Sequence, residues 1–110
     1  MPKDVQYALV LLKEVRSGYG DVVSLQSVAD KHKISVLFLE QVGRRLRVAG
    51  YLVSVRGPGG GYVLKKKDLA LTLKDVYDAV GRGSDVDDML PSCIGHHKEV
   101  VEHMGTVNVL

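Results

Sequence analysis

The chain has 110 residues, 45% hydrophobic and 25% charged, which fits one globular domain and excludes a disordered or membrane-embedded chain. No apolar run approaches the roughly 18 residues of a membrane span, and the first residues lack the basic-then-apolar order of a secretory leader, so a cytoplasmic protein is expected. One cysteine, Cys93, excludes an internal disulfide framework, and the net charge of +2 hides an asymmetry: residues 36–67 carry seven Lys/Arg and one acid, residues 68–110 three and eight.

Val5, Ala8, Leu9, Leu12 and Val15 recur at helical spacing and predict a first helix over residues 4–17. Tyr7, Val10 and Leu11 lie on its other face, and a helix apolar on two sides asks for two partners, a second helix or another subunit. After a Gly18–Asp21 break, Ser24 caps a short helix over 25–31, with Leu25, Val28 and Ala29 inward. His32, Lys33 and Ile34 form a three-residue turn. Ser35 then caps a third helix over 36–49, stopped by Gly50. Leu39, Val42, Leu46 and Ala49 face inward on it, and Val36, Leu37, Glu40, Gln41, Arg44 and Arg47 outward.

Residues 51–56 read as a strand and 62–64 as its return, joined by the turn Gly57-Pro58-Gly59-Gly60-Gly61. Thr72 caps a fourth helix over 73–80, whose apolar set is Leu73, Val76, Tyr77 and Val80. Residues 81–91 are an acidic loop, and a final short helix covers 96–104. The fold class is mainly α with a two-stranded β-wing, a winged helix-turn-helix over residues 1–82. Residues 83–110 are an appendage suited to dimerisation or sensing.

A short helix, a tight turn and a longer helix make a helix-turn-helix, whose second helix enters the DNA major groove in DNA-binding versions. The pair alone is a weak signal. The hairpin strengthens it, because Gly57, Gly59 and Gly60 leave no side chain to block a close backbone approach. Arg56 precedes that turn and suits the negative potential of a narrow minor groove. A nucleotide-binding loop is disfavoured, since the glycines lead into a strand and no Gly-Lys-Ser/Thr follows. Arg44, Arg45 and Arg47, beyond the first helical turns, face phosphates or solvent, and Lys65–Lys67 are weaker candidates.

Leu39-Glu40-Gln41, Leu46-Arg47-x-Ala49-Gly50 and Arg56-Gly57-Pro58-Gly59-Gly60-Gly61-Tyr62 occur together and in order. Tyr7-Ala8-Leu9 and the run from Leu71 to Val76 support them. In these pieces, across about residues 5–82, the chain resembles the Rrf-two family of transcription regulators. The resemblance implies a bacterial regulator, a repressor or an activator with repression the first expectation, that binds a pseudo-palindromic site in double-stranded DNA as a homodimer. By position it implies that Ser35, Leu37, Phe38, Glu40 and Gln41 touch DNA from the recognition helix and that Arg56 is the minor-groove arginine. Glu40 would accept from cytosine N4. Leu37 stands where a polar residue often occurs, which suits a thymine methyl.

Sensing members of that family bind an iron–sulfur cluster through three cysteines, and this chain has one, so a cluster held by three thiolates of one chain is excluded. Cys93, His96, His97 and His103 are the remaining candidate ligands, with His96, Glu99 and His103 on one helical face. No second cysteine or tight ligand spacing supports zinc, and no cofactor is expected. The competing function is a protein-interaction module that kept the fold without DNA binding. Arg56, the glycine turn and the basic centre argue against it. An enzyme is not expected, because no paired carboxylates or nucleophile–base motif is present.

Overall fold

The structure is a computed structural model that describes residues 2–81 and 108–110. Its elements run α1 (Lys3–Ser17), α2 (Leu25–His32), α3 (Val36–Val48), β1 (Leu52–Val55), β2 (Gly61–Leu64) and α4 (Leu73–Val80). The expected helix over 96–104, most of the acidic loop over 81–91, and Cys93, His96, His97 and His103 lie outside the described residues.

Helix α1 is the spine of the core and packs against α3, α4 and β2. Val5, Ala8, Leu11, Leu12 and Val15 are buried on it, so Leu11 takes the inner place expected of Leu9, which is half-buried. The two-sided apolar pattern is therefore met in large part within the chain.

Ser24 caps α2 and Ser35 caps α3, each hydroxyl accepting from the backbone N–H three residues on. α2 runs one residue further than its pattern implies, to His32. Lys33 then adopts the left-handed conformation (φ 57°, ψ 50°) that turns the chain into α3. On α3 the inner stripe is Leu39, Val42, Gly43 and Leu46. Ala49 instead caps the helix and is exposed, while Val36, expected outside, packs on the core. Both differences come from the helix ends, where the chain leaves the regular period.

β1 and β2 pair antiparallel, with Leu52 opposite Leu64 at the base and Val55 opposite Gly61 near the tip. Leu52 and Leu64 are buried and close the core. A third backbone segment joins them. Val23 and Tyr62 exchange two N–H···O bonds of 2.9 Å, which ties the hairpin to the residue before the α2 cap. Thr72 begins α4 with a full capping box, its hydroxyl accepting from Asp75 N–H and the Asp75 carboxylate from Thr72 N–H. Val109 and Leu110 pair with the Leu71 backbone through bonds of 2.8–3.2 Å.

Candidate nucleic-acid interface

Two features meet on one side of the molecule: the outer face of α3 and the inner side of the β-wing. They join at Tyr62. Its ring lies across α3 at Gly43, where an added Cβ would stand 2.9 Å from Cε2 and 3.2 Å from Cζ. Only a glycine lets the ring so close. Glycine inside a helix costs about 1 kcal/mol relative to alanine, so this packing is the physical return on a residue that otherwise weakens α3. A groove of about 390 Å³ runs along the joint, lined by Leu37, Glu40, Gln41, Arg44, Arg47 and Tyr62.

The sequence-derived residues fall into three groups. Leu37, Glu40, Gln41 and Arg44 are exposed along the groove, and Leu37 keeps 67% of its surface in solvent, an unusual place for a leucine. Ser35 is exposed too, with its Oγ accepting from Phe38 N–H at 3.3 Å, and the hydroxyl proton stays free to donate. Phe38 is half-buried. Its ring meets Tyr7 edge-on at 4.8 Å and 80°, so it joins α3 to α1.

Arg56, Gly57 and Gly59 stand exposed at the wing tip, and Gly60 just inside it. Gly57 (φ 94°) and Gly59 (φ 74°) hold positive φ, and Gly60 N–H closes the turn on Gly57 O at 2.8 Å. A Cβ at Gly60 would strike the carbonyl oxygens of Val55 and Gly57. The turn thus needs glycines for its own geometry, whatever it touches. Arg56, Arg44 and Arg47 make no ion pair or hydrogen bond among the described residues.

Arg45 differs from its neighbours. Its Nη1 donates to Asp4 Oδ2 at 3.0 Å and to Val80 O at 2.9 Å, binding α3 to the start of α1 and the end of α4. Lys65–Lys67 follow Leu64 at the base of the hairpin, a four-residue strand or roughly 13 Å from the tip. Between α1 and α2, Glu14 Oε1 accepts from Lys31 Nζ at 2.9 Å and pairs with His32 Nε2 at 3.0 Å. Those contacts, His32 first and then Lys31, hold its carboxyl below the ordinary carboxylate value and anchor α2 to α1. Sequence reasoning missed Tyr62 as part of the site, and the glycine within the α3 pattern was the signal that pointed to it.

The sequence profile of the Rrf2 family, described as iron-dependent transcriptional regulators, matches residues 1–107. The chain belongs to the Rrf2 family. The match takes in more of the chain than the motifs between residues 5 and 82. Among curated relatives, the HTH-type transcriptional regulator IscR of Cereibacter sphaeroides is 38% identical over 79 residues, covering 68% of this chain and 50% of the relative. IscR of Escherichia coli is 36% identical over 81 residues, 73% of this chain and 50% of the relative. The chain therefore spans about half the length of these curated relatives. CymR, the global cysteine regulator of Bacillus subtilis, has a solved structure with TM-score 0.73 and 27% identity, covering 99% of this chain and 92% of that one. The Rrf2 fold, a winged helix-turn-helix, is the fold described above. Among the described residues no helix is long and apolar enough to cross a membrane. No three His, Cys, Asp or Glu residues gather there to hold a metal ion.

Proposed function

We propose that this Rrf2 chain is a sequence-specific DNA-binding transcription regulator of the cytoplasm that acts as a homodimer, a repressor, on a pseudo-palindromic site. The observation that carries the reading is the groove itself. The exposed face of α3 and the wing lie side by side, joined by Tyr62 on Gly43, with Arg44, Arg47 and Arg56 unpaired among the described residues. α3 enters the major groove, and its early residues reach base edges. Glu40 accepts from cytosine N4, Gln41 pairs with an adenine edge, Leu37 covers a thymine methyl, and Ser35 donates at the helix start. Phe38 sets the height of that turn from its seat on Tyr7. The wing follows the adjacent minor groove, where Arg56 meets the narrow, negative floor and the backbone of Gly57, Gly59 and Gly60 passes close to the sugar edges.

The half-buried Leu9 and Val10 of α1 support a subunit contact, and two such chains would read half-sites about one helical turn, or a multiple of it, apart. The family description names iron. The donor set of this chain does not fit a cluster held by three thiolates, because it contains one cysteine. Our reading is therefore a regulator that needs no such cluster.

The test is selection of duplexes from a random pool by the purified chain, followed by titration at several salt concentrations. The expected result is a symmetric consensus whose affinity falls steeply with salt. An unenriched pool would overturn the proposal.

A further inference from the structure

The place of Tyr62 is set three times over. Its backbone N–H and C=O bond Val23 at 2.9 Å, it stands opposite Ser54 in the hairpin, and its ring lies on Gly43. The hydroxyl end takes part in that contact, since the Tyr62 oxygen would stand 3.4 Å from a Cβ at Gly43. On a helix the neighbours of position 43 along one face are positions 40 and 47, with 44 beside them. The groove that Tyr62 lines beside this contact is lined as well by Glu40, Arg44 and Arg47.

This hydroxyl has no hydrogen-bond partner among the described residues. Neither guanidinium does, and neither pairs with Glu40 within 4.0 Å. Two guanidiniums and a phenolic donor, unpaired among the described residues and lining one cleft, match an anion with several acceptor oxygens. Position then decides which anion. With α3 in the major groove and the wing in the adjacent minor groove, the joint between them must cross the sugar-phosphate backbone that separates the two.

We propose that Tyr62, Arg44 and Arg47 form a seat for one backbone phosphate of the strand passing between recognition helix and wing, and that Gly43 is present to lay the Tyr62 hydroxyl into it. The seat rests on the DNA-binding reading above. It makes Tyr62 a register-setting contact that carries no base information.

The experiment uses the full chain and the duplex selected by the unaltered protein. Tyr62→Phe keeps the ring on Gly43 and removes only the hydroxyl, and its unchanged melting temperature checks the fold. It is expected to bind about tenfold more weakly, by the same factor on the selected duplex and on its single-base variants. The double variant Arg44→Ala/Arg47→Ala is expected to reduce the slope of log affinity against log salt by about one per seat. Replacing one phosphate at a time by a neutral methylphosphonate should reveal one position per bound chain that weakens the unaltered protein but weakens Tyr62→Phe little further. Tyr62→Phe binding at full affinity, or changing the base preference, overturns the seat while leaving the DNA-binding reading intact. Failure of the unaltered chain to bind any duplex overturns both.

Discussion

Arg44 and Arg45 are adjacent in α3 and do opposite work. Arg45 is drawn inward to Asp4 and the Val80 carbonyl and ties three helices together. Arg44 has no partner among the described residues and stands on the groove with Arg47. One residue along a helix is a rotation of about 100°, enough to carry a side chain from the seam between helices to the open face. Charge counted along the sequence treats the two alike, yet of the four arginines between residues 44 and 56 Arg45 is the one that pairs among the described residues. The same division separates the two faces of α3: Leu39, Val42 and Leu46 build the core, while Leu37, Glu40 and Gln41 face outward.

The widest separation between the inner and outer sets comes from the core. Leu46→Ala, at a fully buried position, is expected to cost about 2–5 kcal/mol of stability in chemical denaturation. DNA affinity measured well below its melting temperature should stay close to that of the unaltered chain. Arg56→Ala is the mirror case. It should lower affinity for the selected duplex by about 10–100-fold in a binding titration and leave the melting temperature in place. A variant that melted early instead would move Arg56 from the reading set to the folding set.

Arg45→Ala sharpens the contrast with Arg44 directly. It should lower stability by about 1 kcal/mol, a modest figure because the pair is partly exposed, without altering the salt dependence of DNA binding. Arg44→Ala should do the reverse. The smallest effect belongs to Glu14, whose carboxyl is held below its ordinary value near 4.5 by His32 and Lys31. A carboxyl depressed on folding adds stability above its unfolded value and loses it as pH falls through the folded one. Glu14→Gln should therefore melt slightly earlier than the unaltered chain at pH 6, by under about 1 kcal/mol, with the gap closing toward pH 3.

Much of the fold was legible because its signals are local. Thr72 with Asp75, Ser35 before an apolar stripe, and the glycine turn between two short strands each act within four residues of chain. The start and end of α4 emerged where the pattern put them. The inner stripe of α1 was legible only in part, since Leu9 and Leu11 fit a helical period equally well until a second packing partner is known. Ala49 failed because a helix end no longer obeys that period. Val23 was invisible as a strand element, because one paired residue has no alternation to detect.

The candidate site divides in the same way. The outward face of α3 follows from the spacing of its inner stripe, and Arg56 follows from its place beside the turn. The role of Tyr62 does not, because its ring meets Gly43 across 19 positions of chain.

By itself, the order of residues determined the helices and their caps, the glycine wing and the polarity of the face α3 turns outward, all consequences of backbone conformation and of periodicity over a few turns. The tertiary structure alone decided that Arg45 is drawn into the fold, that the first helix meets most of its apolar demand inside the chain, and that α3 and the wing meet at Tyr62. Those outcomes depend on surfaces brought together from distant positions, where burial and competition for hydrogen-bond partners choose among side chains that look alike along the chain.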